Sequence, residues 1–358
     1  MIEIPTEMNA AFLTGVSRLE VRRVAVPRVG PGEVLVRVRA VGLCGSDIRI
    51  FENGSPRIAY PAIPGHEISG DIVRVGSGAG GWRPEQRVAV GSLIPCGRCA
   101  ACRAGDAQLC ETSEMIGYQR SGGMAEFVLL PKRLLTHGFA ARIPGALSYD
   151  TASLAEPLST MLNAIERMGG VRGRSLAVFG SGGAAGLAVA ASHILGAKQI
   201  VRLGRSVGRK NAAAATPTMH VRYAGPDAAQ RTLFRATKGR GFDRVVVASD
   251  KAEMQTLAVS VTAVRGSAVL FGVVSNGEMV AMNTNDIHYR ESTVVGSFGA
   301  AARHFQAAVR MLAKHPQEFA PLVTHRFPLS DVAGAYGAMT SARRTKIVVH
   351  PSGEKRAI

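Results

Sequence analysis

Aromatic side chains are scarce, at 5% of 358 residues with a single Trp, and bases outnumber acids by 43 to 26, for a formal charge of +17. Few rings are on hand to stack bases, the Lys and Arg are scattered rather than gathered in a stripe, and no helix-turn-helix or RNA-binding signature occurs. A nucleic-acid role is therefore not expected, and an anionic small ligand accounts for part of the charge. Long apolar runs are missing too: stretches such as 257–264 fall far short of the roughly 20 residues that a membrane helix needs. Met1-Ile2-Glu3-Ile4-Pro5-Thr6-Glu7 puts acids where a secretory leader starts with bases, so a cytoplasmic location is expected. Cysteine is limited to five, an odd number that argues against a disulfide framework and for metal binding or catalysis.

Apolar content is ordinary, at 46% with 41 Gly and 17 Pro, as in a globular protein of one or two domains. The N-terminal part reads as short β segments between Gly and Pro. Residues 33–40 alternate with period two, and Ile72-Val73-Arg74-Val75 and Arg87-Val88-Ala89-Val90 follow between turn residues. From about Ser159 the texture changes. Apolar strands (175–179, 199–203, 244–247, 268–271 and 292–295) alternate with Ala-rich helical stretches such as 184–195, which predicts a parallel doubly wound sheet. A helical segment at 304–313 leads to Lys346-Ile347-Val348-Val349, a strand that returns to the first domain. The expected fold is α/β, with a mainly-β domain of residues 1–157 and 300–358 and a dinucleotide-binding Rossmann domain of residues 158–299.

Four of the cysteines, Cys96, Cys99, Cys102 and Cys110, have the spacing C-x2-C-x2-C-x7-C. Four thiolates from one compact loop can converge on a tetrahedral Zn²⁺, and a sphere closed by sulfur leaves no place for substrate, so this metal is expected to stiffen the lobe. Neither ferredoxin spacing is matched. Upstream, Cys44-Gly45-Ser46-Asp47 and Gly65-His66-Glu67 offer a thiolate, an imidazole and a carboxylate from two neighbouring loops, and Glu156 offers another carboxylate. Three protein ligands and one exchangeable position make a catalytic zinc site. Taken singly, Cys44 is as well explained as a small core residue, His66 as a satisfied loop histidine and Glu67 as a solvated acid.

Val178-Phe179-Gly180-Ser181-Gly182-Gly183-Ala184-Ala185-Gly186 joins a predicted strand to a predicted helix, and its glycines let backbone approach a pyrophosphate at the helix N-terminus. NAD enzymes carry an acid roughly 20 residues further on, at the end of the second strand, for the ribose 2′-hydroxyl. Gly204-Arg205-Ser206 stands there instead, with Arg209 and Lys210 beyond it. No carboxylate repels a 2′-phosphate and Arg205 can grip one, so NADP is expected in preference to NAD.

Over nearly its whole length the sequence resembles the zinc-dependent medium-chain alcohol and polyol dehydrogenases. Gly65-His66-Glu67-Ile68-Ser69-Gly70 with Gly76 resembles that family's zinc signature, and the four-cysteine lobe falls where the family has its structural zinc. The lone Glu67 and Ala155-Glu156-Pro157-Leu158 look most like the sorbitol, idonate and threonine dehydrogenases. The resemblance implies that the mainly-β domain is GroES-like and that Cys44, His66 and Glu67 surround the catalytic zinc. It implies Glu156 as a ligand or a neighbour exchanging with water, Asp47 as the acceptor orienting His66, and Ser46 as the first hydroxyl of a proton relay. A homo-oligomer, dimer or tetramer, also follows from it.

On this reading a secondary alcohol or its ketone reacts in the cleft between the domains, with the metal as Lewis acid and hydride passing to nicotinamide C4. Phe51, Tyr60 and Phe298 are expected pocket walls. Polyol dehydrogenases commonly carry His where Arg49 stands and Phe-Arg-Tyr where Phe298-Gly299-Ala300 stands, so polyol specificity is open. Two alternatives compete: a zinc-independent alkene or quinone reductase of the same superfamily, and a non-catalytic relative that binds zinc and nucleotide.

Overall fold

The structure is a computed structural model that describes residues 3–205, 218–274, 277–339 and 345–353. The chain divides inside the helix Ala155–Arg167 into two compact units, Met1–Ser159 with Ala300–Ile358, and Thr160–Gly299.

The first unit is built on a seven-stranded sheet whose path runs Val323–Pro328, Lys346–His350, Val34–Leu43, Glu67–Val75, Arg87–Val90 and Ala140–Arg142, with Phe127–Leu130 also paired to Val34–Leu43. Only the Val323–Pro328 and Lys346–His350 strands run parallel to each other. Alternation in the Val34–Leu43 strand has a direct cause: Val36, Val38 and Ala40 are fully buried, while Arg37 stacks on the Phe127 ring and Arg39 pairs with Asp71 at 2.6 Å. The Lys346–His350 strand crosses back to this sheet, setting Ile347 opposite Leu43. An outlying hairpin, Glu7–Gly15 with Arg18–Ala25, gave no sequence signal because its second strand is mostly exposed, half of it charged, and buries no face.

The second unit holds a six-stranded, wholly parallel sheet in the order Met219–Arg222, Gln199–Gly204, Ser175–Phe179, Phe242–Val247, Thr262–Leu270, Thr293–Gly296. This is the doubly wound Rossmann order, whose direction reverses beside the first strand. Ala177, Phe179, Val201, Leu203, Val245 and Val247 pack against Leu233, Met254 and Leu257 of the helices Pro226–Ala236 and Ala252–Val261. Strands covered on both faces read as unbroken apolar runs, which is why they were legible. The short Met219–Arg222 strand was not, since only Val221 among its four residues is buried. No helix among the described residues is long and apolar enough to cross a membrane.

Candidate active site

Cys44 follows directly on the Val34–Leu43 strand and is the N-cap residue of the helix Gly45–Asn53. Glu67 is the first residue of the adjacent strand, opposite Gly42, and His66 precedes it. The expectation of two loops holds for Cys44 and His66, which lie outside helix and strand, and is corrected for Glu67, which begins a sheet strand, a rigid position that holds a ligand more closely than a loop does. Single donor atoms of Cys44, His66 and Glu67 lie within 4.8 Å of one another.

Asp47, on the first turn of the Gly45–Asn53 helix, ties two of them together. Its Oδ2 accepts from the Cys44 amide at 2.8 Å, and its Oδ1 faces His66 Nδ1 at 3.3 Å, with Asp47 and His66 both buried. Burial favours a neutral His66 ring, but the Asp47 charge outweighs it and holds the imidazole well above its ordinary value. The Asp47 carboxylate thus faces the ring nitrogen where the acceptor behind a metal-bound imidazole sits. A thiolate, an imidazole and a carboxylate are also a suitable donor set for zinc.

Glu156 is not part of that close trio. It lies in the first turn of the Ala155–Arg167 helix, where Ser92 Oγ donates to its Oε1 at 3.1 Å, and burial and the nearby Glu67 charge push its carboxyl up. Ser46 is half-buried next to Cys44, in contact with the phenol of Tyr118, whose ring lies 5.6 Å from that of His66. Phe51 packs on the small cluster of Leu13, Ile50 and Ile58, with its ring 5.2 Å from Tyr336. Tyr60 and Phe298 are exposed.

The thiols of Cys96, Cys99, Cys102 and Cys110 also converge within 4.8 Å. Cys96 Sγ accepts from the amides of Arg98 at 3.4 Å and Cys99 at 3.3 Å, and these N–H groups bring its thiol down to about 5. Cys110 Sγ accepts from the Cys96 amide at 3.4 Å. Amides aimed at sulfur favour thiolate, the form that binds metal.

In the second unit, Gly180 and Ser181 lead to Gly182, the N-cap of the helix Gly183–Ile194, which has no side chain capping its free amides. Ala184 lies in its first turn and Ala185 is buried beneath it. The Gln199–Gly204 strand holds this turn closely: Gly180 donates to Leu203 O at 2.8 Å, and Ser181 Oγ accepts from the Arg205 amide at 3.1 Å. Arg205 is exposed, as a 2′-phosphate ligand needs to be. Ser206, Arg209 and Lys210 lie outside the described residues.

Residues 30–139 match the alcohol dehydrogenase GroES-like domain family, and residues 149–350 match the glucose dehydrogenase C-terminus family. The chain belongs to the zinc-dependent medium-chain alcohol dehydrogenases. Curated relatives include D-altritol 5-dehydrogenase of Agrobacterium fabrum, 31% identical over 91% of this chain and 94% of that protein. Sorbitol dehydrogenase of Bacillus subtilis is 29% identical over 98% and 99%. Among solved structures, a protein from Sinorhizobium meliloti 1021 described as a zinc-binding dehydrogenase and bound to NADP superposes with a TM-score of 0.88. It is 28% identical, covering 97% of this chain and 100% of that one.

Sequence reasoning missed three features of this dehydrogenase. Lys346, from the returning strand, is 7% exposed and pairs with Glu67, which is 0% exposed, through both carboxylate oxygens. Burial alone would lower the Lys346 ammonium, but Glu67 and the Cys44 and Asp47 charges raise it. Gly42 makes that pairing possible, since a Cβ there would occupy the space of the Glu67 carboxylate. Arg202, inside the Rossmann sheet, reaches the glycine turn from below. A partial signal did exist for the last of these, because a lone Arg in an apolar central strand is unusual.

Proposed function

We propose that this dehydrogenase moves hydride between a secondary alcohol, polyol, cyclitol or sugar-like, and the corresponding ketone, with NADP preferred to NAD. The observation that carries the reading is the meeting of Cys44, His66 and Glu67 donor atoms within 4.8 Å in a chain that also has a Rossmann unit with Gly204-Arg205 at the 2′-position. Cys44, His66 and Glu67 hold the catalytic ion, with Glu156 as a fourth ligand or close neighbour, and Cys96, Cys99, Cys102 and Cys110 hold the structural one. When bound, zinc supplies the Lewis acidity that brings an alcohol's pKa toward neutrality, and nicotinamide supplies the hydride acceptor.

The protein's own work is positional. Asp47 fixes the His66 ring while anchoring the Cys44 amide. Ser46 takes the alcohol proton and passes it toward solvent, with the Tyr118 phenol beside it. The amides of Gly182, Gly183, Ala184 and Ala185 cradle the diphosphate at the helix N-terminus, and Arg205 with Ser206 and Arg209 meets the 2′-phosphate. Five thiols without a disulfide among them suit the reducing cytoplasm. A homo-oligomer, dimer or tetramer, belongs to this reading, and exposed Val264, Met279 and Tyr289 of the Rossmann unit are apolar side chains available to such contacts.

The names of the relatives support a substrate with several hydroxyls, whereas Arg49 and Phe298-Gly299-Ala300 support one that differs from common polyols. The decisive experiment is a screen of secondary alcohols and ketones on zinc-loaded protein with NADP(H) and NAD(H). Turnover lost on chelation and restored by zinc supports the reading. Hydride transfer to alkenes or quinones that persists without metal favours the zinc-independent reductase instead.

A further inference from the structure

Arg202 carries a positive charge inside the Rossmann unit, with its residue only 8% exposed. Its Nε donates to Gly180 O at 3.0 Å and its terminal nitrogen to Gly182 O at 3.4 Å, so the guanidinium is clamped under the turn by neutral carbonyls. No carboxylate pairs with it among the described residues, and the segment 206–217 that follows its strand contains no Asp or Glu. His220, beside it on the next strand, is no counter-ion, since burial and the Arg202 charge lower its affinity for a proton. The turn it supports ends at the uncapped N-terminus of the Gly183–Ile194 helix, which is itself the positive end of a dipole. Two like fields thus coincide at a half-buried turn, an arrangement that a bound anion relieves.

We infer that Arg202 is a positioning residue for the dinucleotide: it fixes the Gly180 and Gly182 carbonyls and supplies a buried charge that the cofactor's diphosphate neutralises. The diphosphate is common to NAD and NADP, so Arg202 serves both, whereas Arg205 distinguishes them. The inference rests on the dinucleotide-binding reading above, but not on the preference for NADP.

Arg202→Gln and Arg202→Lys are compared with wild type by titrating NADPH and NADH into zinc-loaded protein, with nucleotide-free melting curves alongside. Arg202→Gln is expected to weaken both nucleotides by the same factor, about 10- to 100-fold, the worth of one partly screened charge acting on the diphosphate. Arg202→Lys, which keeps the charge but not the two-carbonyl fork, is expected to recover part of that loss. The cofactor-free melting temperature of Arg202→Gln should hold or rise, because an unneutralised charge has been removed. Binding within twofold of wild type overturns the inference, and so does a loss confined to NADPH. A variant that melts markedly lower without cofactor also overturns it, for the guanidinium is then scaffold. Wild-type protein that binds both nucleotides equally well defeats the NADP preference alone, and wild type that binds neither defeats both readings.

Discussion

The Ser181 hydroxyl fills the space that a side chain at residue 204 would occupy: a Cβ built on Gly204 collides with Ser181 Oγ. The hydroxyl is also engaged by the Arg205 amide at 3.1 Å, so it cannot swing away without loss. The lack of an acid at the ribose position is thus built into both sides of the turn.

Gly204→Asp alone should therefore fail to convert the cofactor preference to NAD. The clash is expected to weaken NADPH and NADH together, by about 1–3 kcal/mol. Ser181→Gly combined with Gly204→Asp should recover NADH binding. Arg205→Ala should cost NADPH about 1.5–3 kcal/mol and leave NADH nearly unchanged. Dissociation constants from nucleotide fluorescence check all three, and a single Gly204→Asp variant that binds NADH tightly would contradict the steric argument.

Lys346→Met leaves Glu67 as a buried charge without its partner. In metal-free protein the cost is expected to be about 3–5 kcal/mol. Zinc bound beside Glu67 supplies replacement charge, so the deficit should shrink in zinc-loaded protein. Melting curves with chelator and with zinc measure the difference, and an equal loss in both conditions would separate Glu67 from the metal.

Cys44→Ala and Cys99→Ala should fail in different ways. The first is expected to lower turnover by roughly 1000-fold or more, since the Lewis acid is worth several kcal/mol, with nucleotide binding intact. The second should lower the melting temperature by about 5 °C or more, as the lobe loses its cross-link. Each should reduce zinc content from two per chain to one, which elemental analysis reads directly.

Acid stability should depend in part on Asp150. Its carboxylate accepts from Arg326 Nε at 2.6 Å and pairs with His350 Nε2 at 2.7 Å. Burial acts to raise it, but His350 and Arg326 prevail and hold it below the usual carboxylate range. A depressed carboxyl contributes stability that is complete above its unfolded value, about 3.9, and disappears as pH falls through the lower folded one. Asp150→Asn should cost about 1 kcal/mol near pH 7, reduced by the exposure of Arg326, and flatten the acid limb of the stability profile. An acid limb as steep as wild type's would count against it.

Local order in the chain was enough to reveal much of this protein. The spacing of Cys96, Cys99, Cys102 and Cys110 is a property of one loop, the valine and isoleucine runs of the parallel sheet reflect burial on both faces, and the glycine turn sits where its strand and helix patterns meet. Partners far apart in sequence belong to the tertiary structure alone. Lys346 meets Glu67 across 279 residues, Arg202 meets Gly180 across 22, and neither pair leaves a periodic trace. Hydrophobic patterning reports which face of an element is buried, but the charge that settles opposite a buried acid, or under a turn, is decided by which strands become neighbours when the sheets assemble.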